Sequence, residues 1–318
     1  MDVASAVADY LMDQGHIAKR SLIQYRQRLQ MFAAWCGQQH VTLEQVNNRS
    51  VQAFLEHLRE HSAPSKHDKS HISSRTVGNY ALNIIVFLRW CLRDEEYAAY
   101  VTLARVSGVR MPRQDKVLKE SYTDKEIAAL FEACAHPKKR HEYQLRDTAL
   151  LSLLLDTGIR AGELRTLTIG NVTLATDPRE DSYIKVMGKG RKEREIPIGA
   201  KTRRQVARYI RGYRQGAKKT DPLFISRQGD TQMVHSGLKD ILLRLKKFSS
   251  LPEDAQVNPH KFRHTFASRF MQKGGDIYTL SRLLGHSSVV ITEHYLTTLG
   301  VDIGRVRSVN YISIVDGL

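Results

Sequence analysis

Cysteine is scarce in this chain of 318 residues, which contains only Cys36, Cys91 and Cys134. The three lie far apart and no two form a Cys-x-x-Cys pair, so neither a disulfide framework nor a cysteine-rich zinc site is expected. Each is predicted to be a small buried hydrophobic residue of a protein in a reducing compartment.

Long apolar runs are also missing. No stretch approaches the roughly 18 uncharged apolar residues of a membrane-spanning helix. The N-terminal stretch MDVASAVADYLMDQG has acids where a signal peptide has basic residues. A hydrophobic content of 42% and a charged content of 26% are typical of soluble globular proteins. We therefore expect a cytoplasmic protein without membrane contact, long enough for two domains.

The motifs of common phosphoryl-transfer enzymes are absent from the sequence. It has no GxxxxGK[ST] loop for ATP and no cluster of Asp and Glu of the kind that holds catalytic metal ions. His260 and His264 have the spacing of a zinc-binding pair, but no Glu lies between them and Arg263 would repel a cation. We therefore expect no metal and no other cofactor.

Positive charge is the strongest bulk feature, with a net charge of +16 and a pI near 9.8. Residues 1–122 hold 16 basic and 12 acidic residues, whereas residues 123–318 hold 33 and 21. The densest segment, residues 185–219, has 13 basic residues and two acids. An excess of this size favours a polyanionic partner, with nucleic acid the first candidate.

The first 104 residues predict a helical domain. Ser21 and Ser74 are candidate N-caps of helices with apolar faces, and Gly37 is a candidate stop for the first of them. Thr42 and Gln45 have the spacing of a capping box. Together with one more amphipathic helix between them, these segments predict a four-helix bundle that is too plain to be an enzyme by itself.

Residues 105–121 interrupt the helical pattern with Gly108, Pro112 and few large apolar residues, and so predict a linker. The linker is basic, and a linker between two DNA-binding halves should follow the phosphates. Its predicted DNA contacts are Arg110, Arg113 and Lys116.

Residues 122–318 predict a second domain. A long apolar helix ends at Gly158, and the stretch SYIKVMGKGRKEREIPIG predicts a β-hairpin with a glycine-rich tip. Three helices follow from His260 onward, separated by glycines. The predicted fold class is mainly α with a small antiparallel β-sheet.

Two candidates for chemistry lie in the first half of this domain. Arg160 follows the glycine that ends the long helix, and its guanidinium suits a bidentate hold on phosphate oxygens. Glu163, three residues later, can fix its rotamer. Lys189 at the hairpin tip can give a proton to an oxygen that leaves phosphorus. Further predicted DNA contacts near the tip are Arg191, Lys192 and Arg194.

The remaining candidates lie near the C-terminus. The stretch PHKFRHTFASRF places His260 and Arg263 on one face of a helix, near an N-terminus that favours anions. His264 lies beside the aromatic face and is interpreted as a packing or supporting histidine. In LLGHSSVVITEHYL, His286 lies in a loop and Tyr295 in a short helix, where a tyrosine can hold a covalent phosphodiester.

With these residues the chain resembles the tyrosine recombinase (phage integrase) family, which includes the Xer proteins, Cre and lambda integrase. The family pattern Arg…Lys…His-x-x-Arg…His…Tyr is met in TGIRAGEL, GKGRKER, HKFRHTFA and LLGHSS, with the tyrosine nine residues after the last histidine. The catalytic residues that this resemblance implies are Arg160, Lys189, His260, Arg263, His286 and Tyr295. It also implies a SAM-like N-terminal domain joined by the linker to a catalytic domain.

By this resemblance the chain is an enzyme, a site-specific DNA recombinase. Tyr295 attacks a phosphate held by two arginines and a histidine, Lys189 protonates the leaving 5′-oxygen, and His260 assists proton transfer. The phosphate-holding residues are Arg160, Arg263 and His286. A 3′-phosphotyrosyl intermediate and a Holliday junction follow, without metal or ATP.

The implied partners are double-stranded recombination sites at the nucleoid and further copies of the same chain. The family pattern is one dimer per site and a tetramer in the synapse, coupled by exchange of C-terminal tails. Two other functions stay open at this point. One is topoisomerase IB-like cutting and resealing of a single duplex, and the other is DNA binding without catalysis.

Overall fold

The computed structural model describes residues 1–15, 17, 19–61, 72–113, 119–177, 180–188, 192–226 and 231–301. The chain forms two compact units, residues 1–116 and residues 117–318. Both units are mainly helical, and the second contains one small antiparallel sheet. The predicted fold class is therefore confirmed.

The first unit is a helical bundle around an apolar and aromatic core. Its helices are α1 (Val3–Asp13), α2 (Lys19–Gln38), α3 (Asn48–His61), α4 (Ser74–Cys91) and α5 (Leu103–Ser107). At the centre, the rings of Phe32 and Phe54 meet edge to face with their centroids 5.1 Å apart. Cys36 and Cys91 are buried in the same core, as predicted.

Helix α1 was not among the predicted helices. Its signals are nevertheless present, because Val3, Val7 and Tyr10 repeat at helical spacing and are all buried. Asp2 caps the helix by accepting a hydrogen bond from the backbone N–H of Ser5 at 3.1 Å. The N-terminal stretch therefore contributes a helix to the bundle core.

Several predicted helix ends in this unit are wrong. Helix α2 begins before Ser21 and continues past Gly37, so neither residue marks an end. The N-cap of α4 is Ser73, whose side chain accepts from the backbone N–H of Thr76, and Ser74 is already helical. A serine pair offers two possible caps, and the sequence alone did not distinguish them.

The capping box of Thr42 and Gln45 is confirmed, although it opens a single 3-10 turn, Leu43–Gln45, rather than an α-helix. In the predicted linker, α5 occupies the beginning, and Val106 and Val109 are buried in the core of the first unit. That part is therefore not a linker. The boundary between the two units, after residue 116, lies farther along the same segment.

The second unit is built around the buried helix α7. Its helices are α6 (Asp124–Cys134), α7 (His141–Thr157), α8 (Ala161–Thr166), α9 (Ala200–Tyr213), α10 (His235–Phe248), α11 (Pro259–Gln272), α12 (Ile277–Leu284) and α13 (Val289–Thr298). Helix α7 ends at Gly158, as predicted. Its second half, residues 149–157, is buried on every side and is mostly leucine, as expected of a helix enclosed by the core.

The sheet has the order β1-β2-β3, with β1 (Val172–Thr173), β2 (Ser182–Met187) and β3 (Glu193–Ile198). Strands β2 and β3 pair antiparallel from Ser182 opposite Ile198 to Met187 opposite Glu193, which confirms the predicted hairpin. The backbone N–H of Gly188 donates to the carbonyl of Lys192 at 2.8 Å, which extends the pairing of the two strands by one residue toward the tip. Across the described ranges, no helix combines the length and apolar character needed to cross a membrane.

Candidate active site

The turn after α7 places Arg160. Gly158 has a φ of 57°, and a Cβ there would lie 2.5 Å from the ring of Phe266, so glycine is required for two reasons. Two residues later, the backbone N–H of Arg160 donates to Oε2 of Glu163 at 3.0 Å, and its Nη1 donates to Oε1 at 2.9 Å. Glu163 thus fixes the Arg160 rotamer, as we expected.

Arg263 lies in the second turn of α11 and is only 5% exposed. Its Nη1 donates to the carbonyl of Gly158 at 2.9 Å, and its Nη2 donates to the carbonyl of Leu284 at 2.8 Å. Burial, followed by the charge of Arg160, lowers the pKa of Arg263 to about 10. The guanidinium therefore remains charged at neutral pH.

The two arginines are held by the ends of two different helices. Arg160 donates from Nη2 to the carbonyl of Gly285 at 3.0 Å, and Gly285 ends α12 with a φ of 64°. Arg263 is bound in the same way to Gly158 at the end of α7. The arrangement fixes both guanidiniums in one pocket, and 38% of the Arg160 side chain remains exposed to a ligand.

His286 follows Gly285 and completes this side of the pocket. Its Nε2 lies 3.0 Å from Nη2 of Arg263, and its Nδ1 lies 2.9 Å from Oγ1 of Thr292. Because arginine can only donate, Nε2 accepts and Nδ1 carries the proton. Burial, then Arg263 and Arg160, lowers the pKa of His286 to about 4, so the ring is neutral at physiological pH. No motif in the sequence marks Thr292 for this contact.

Tyr295 lies on α13 with its ring half-buried. Its Oη is 2.5 Å from Nδ1 of His264, and its ring meets that of His286 edge to face with centroids 5.7 Å apart. Lys119, a residue that the sequence analysis did not select, places its Nζ 5.6 Å from the ring centroid. Burial raises the pKa of the Tyr295 phenol, and the positive charges of Arg263 and Arg160 oppose this.

The two histidines of α11 occupy different positions. His260, in the first turn, is exposed, and partial desolvation followed by Arg263, Lys119 and Arg160 lowers its pKa. His264, one turn later, was predicted to be a packing or supporting residue. The structure gives it a direct hydrogen bond to Tyr295. Their i, i+4 spacing, which we used only to test for zinc, was the available sign that both face the same pocket.

Arg194 differs from the prediction of a DNA contact. Its Nη1 and Nη2 donate to the two carboxylate oxygens of Glu163 at 3.0 and 2.8 Å, and its Nε donates to the carbonyl of Leu283 at 2.8 Å. Only 13% of the Arg194 side chain and 8% of the Glu163 side chain are exposed. We therefore correct the assignment: Arg194 is a bridge from the hairpin to α8 and α12.

The carboxylate of Glu163 is shared by two guanidiniums. Burial raises the pKa of Glu163, but hydrogen bonds and charge from Arg194 and Arg160 outweigh it, so the pKa is lowered overall. Glu163 therefore stays ionised and supplies a negative charge beside Arg160. A Cβ on Gly285 would lie 2.8 Å from Nη1 of Arg194, so glycine at this position also makes room for the bridge.

The other predicted site residues are either exposed or lie outside the residues that the structure describes. Arg110, Arg113 and Lys192 are exposed. The backbone of Arg110 is fixed to α3, because its N–H donates to Oδ1 of Asn48 at 3.0 Å and its carbonyl accepts from Nε2 of Gln52 at 2.9 Å. The predicted residues outside the described ranges are Lys116, Lys189 and Arg191.

An open groove runs from Arg160 and His286 along the hairpin. Its lining is mixed but mainly basic. The other basic residues are Arg165, Lys185, Lys192, Arg194 and Arg282, and the acidic residues are Glu163, Glu193 and Glu195. Such a lining suits a polyanion that follows the groove to the arginine pocket. Over the residues that the structure describes, no three His, Cys, Asp or Glu side chains are grouped so as to hold a metal ion.

Two protein-family models match the chain. The model described as the phage integrase family matches residues 120–299. The model described as the phage integrase N-terminal SAM-like domain matches residues 8–70. The first match spans every predicted catalytic residue.

Curated relatives and solved structures resemble the chain over most of its length. It is 30% identical over 275 residues to the tyrosine recombinase XerD of Pseudomonas aeruginosa, covering 85% of this chain and 84% of the relative. It is 24% identical to XerC of Actinobacillus pleuropneumoniae, covering 90% and 86%. The fold is similar to that of the XerH site-specific recombinase in a post-cleavage complex with its difH substrate (TM-score 0.70, 18% identity, 91% of this chain and 79% of the other). It is also similar to a lambda integrase dimer on a core site (TM-score 0.67, 16% identity, 99% and 81%).

Proposed function

The chain belongs to the phage integrase family, and from this premise we propose that it recombines DNA at specific sites with Tyr295 as the nucleophile. One observation carries the assignment of the nucleophile. The Tyr295 phenol lies in a pocket where Arg263 and Arg160 both act on its pKa and where its oxygen is hydrogen-bonded to an imidazole. Fixed cations of this kind stabilise the charge that develops on a phosphate under attack.

The reaction follows from the positions of these groups. The Tyr295 oxygen forms a bond to phosphorus, and the bond from phosphorus to the 5′-oxygen breaks. Arg160, with an exposed side chain, and Arg263, with its fixed guanidinium, take the non-bridging oxygens. Lys189, assigned by its motif alone, gives the leaving 5′-oxygen a proton. A 5′-hydroxyl of a partner strand then reverses the step, through a Holliday junction, without ATP or a metal ion.

Double-stranded DNA is the proposed partner. The named relatives are tyrosine recombinases, and several similar structures are recombinase complexes with DNA. The basic groove beside Arg160 suits a DNA backbone, so binding should weaken steeply with salt. We further propose a dimer on each site and a tetramer in the synapse, coupled by exchange of the C-terminal tail that follows Tyr295. The protein would act at the nucleoid in the cytoplasm.

Covalent capture tests the proposal without knowledge of the target site. The protein is mixed with fragmented genomic DNA of its source organism in the presence of EDTA, denatured with SDS, and the DNA that stays attached is sequenced. We expect one enriched sequence with the wild-type protein and none with Tyr295→Phe, although both bind DNA. Tyr278→Phe is the matched control, because Tyr278 is 69% exposed on α12.

Two outcomes would contradict this proposal. Attachment by the Tyr295→Phe variant would remove Tyr295 as the nucleophile. Attachment without strand exchange between two labelled duplexes that carry the enriched sequence would favour a topoisomerase-like enzyme over a recombinase.

A further inference from the structure

The shortest polar contact of Tyr295 is to His264. The Tyr295 Oη and the His264 Nδ1 are 2.5 Å apart, and the two rings are tilted by 40° with centroids 5.2 Å apart. His264 belongs to the second turn of α11, a rigid helix whose neighbouring residue Arg263 is fixed to two backbone carbonyls. The imidazole is therefore held against the oxygen that has to lose its proton.

The surroundings determine the direction of this hydrogen bond. Arg263 and Lys119, the charged neighbours of Tyr295, can only donate hydrogen bonds. The phenol O–H is therefore directed to the neighbour 2.5 Å away that can accept a hydrogen bond. That acceptor is Nδ1 of His264, whose proton then resides on Nε2.

We propose that His264 accepts the phenol proton of Tyr295 as the tyrosine oxygen bonds to phosphorus; this inference rests on the proposed function. The proton passes from Oη to Nδ1 while the bond from phosphorus to the leaving oxygen breaks, and that oxygen takes its proton from the general acid. His264 becomes an imidazolium and returns the proton when the phosphotyrosyl bond is reversed. His260, one turn nearer the exposed end of α11, is left to contact the phosphate.

Electrostatics couples this transfer to the presence of the phosphate. The groups that face His264 are Lys119, His260, Arg263 and the Tyr295 phenol. Burial, followed by the charges of Lys119, His260 and Arg263, lowers the pKa of His264 to about 4, so the ring is neutral at physiological pH and has one nitrogen free to accept a proton. A phosphodiester adds a negative charge to the same pocket, which raises the basicity of His264 only when a substrate is present.

Three variants separate proton acceptance from positioning. His264→Asn keeps an oxygen acceptor near the position of Nδ1 but cannot take a proton, whereas His264→Ala removes both functions. His294→Asn is the matched control, because His294 is exposed on α13 beside the nucleophile. The measurement is the single-turnover rate of covalent attachment to a nicked duplex that carries the captured sequence.

We expect attachment by His264→Asn and His264→Ala to be about 100-fold slower than by the wild type, the usual size of a lost general base. Added imidazole should accelerate His264→Ala, in proportion to the basicity of a series of substituted imidazoles, and should not change His264→Asn. DNA affinity should stay unchanged in both. The control should react at the wild-type rate.

The proposal is overturned if His264→Asn reacts within about threefold of the wild type while His264→Ala does not, because the histidine then only positions the phenol. If the wild type itself forms no adduct, the proposed function fails instead. If the His264 variants misfold, a measurement on the protein without DNA still tests the proposal. In ¹⁵N NMR, the histidine signal that shifts in Tyr295→Phe and is lost in His264→Asn belongs to His264. It should show Nδ1 unprotonated, and a protonated Nδ1 would refute the transfer.

Discussion

The two sides of the pocket differ in how their positive charge is compensated. On the hairpin side, Arg160 and Arg194 share the buried carboxylate of Glu163. On the helix α11 side, the partners of Arg263 are two backbone carbonyls and the neutral ring of His286. The hairpin side is therefore an ion-paired scaffold, whereas the α11 side has excess positive charge.

The positive charge of the pocket contributes to the lowered pKa values of its histidines. His260, His264 and His286 all have a lowered pKa, with burial as the first cause and nearby cations as the next. Burial disfavours charge of either sign, whereas the contribution of the nearby cations disfavours imidazolium ions and favours an anion. The ion pairs of the hairpin side hold the pocket together, and we expect the uncompensated charge of the α11 side to attract a phosphate.

Replacing Arg263 should have the largest effect, because it removes the uncompensated charge. We expect Arg263→Lys to slow covalent attachment by about 10³-fold, since one ammonium cannot replace a planar fork bound to Gly158, Leu284 and a substrate. Arg211→Lys, at an exposed position on α9, is the control and should react normally. A loss of less than about tenfold would show that the α11 side does not carry the phosphate charge.

Replacing Glu163 should break the compensated side. Glu163→Gln leaves Arg194 and Arg160 without their shared counter-charge, so we expect the second unit to lose about 3 kcal/mol of unfolding free energy. Denaturation followed by circular dichroism measures this loss. Both tryptophans, Trp35 and Trp90, lie in the first unit, so their fluorescence reports a part of the chain that should not change.

Glu195→Gln is the matched control for that experiment. Glu195 is exposed and lies 3.6 Å from Lys185, and an exposed pair of this kind contributes roughly 0 to 1 kcal/mol. Equal losses from Glu163→Gln and Glu195→Gln would mean that the bridge to Arg194 contributes no more than a surface pair.

Acid should produce a smaller and graded effect. The pKa of His264 and that of His286 are near 4 in the folded chain and near 6.5 otherwise. Between these values the unfolded chain binds protons that the folded chain does not, so stability falls as the pH is lowered from about 6.5 to about 4. The loss should be smaller in His264→Asn and in the presence of bound DNA. An unfolding free energy that increases as the pH is lowered from about 6.5 to about 4 would contradict the direction of both pKa shifts.

The sequence predicted the parts of the site that depend on local signals. Gly158 correctly predicted the end of α7, and the alternating pattern correctly predicted the pairing of β2 with β3. The family motifs named four residues that the structure brings together in one pocket: Arg160, Arg263, His286 and Tyr295. Tertiary contacts between distant segments were beyond reach. Arg194 lies in a basic segment of the kind that contacts DNA. Only the folded chain shows that its guanidinium is paired with the carboxylate of Glu163.

The histidines of α11 show the same limit. Spacing placed His260 and His264 on one face, but it did not show which of them meets a tyrosine 31 positions farther along the chain. Helix ends in the first unit failed for a different reason. Ser21 is a good cap by residue type, yet α2 continues through it, since tertiary packing can override a local signal.

The bonds from arginine to the helix ends also affect when the enzyme acquires its activity. Arg160 and Gly285 are 125 positions apart in the chain, and Arg263 and Gly158 are 105 apart. Contacts at such separations require the closure of long loops and form only as the whole unit folds. A nascent or partly unfolded chain therefore carries Tyr295 without the arranged cations, and the proposed attack on DNA requires the folded unit.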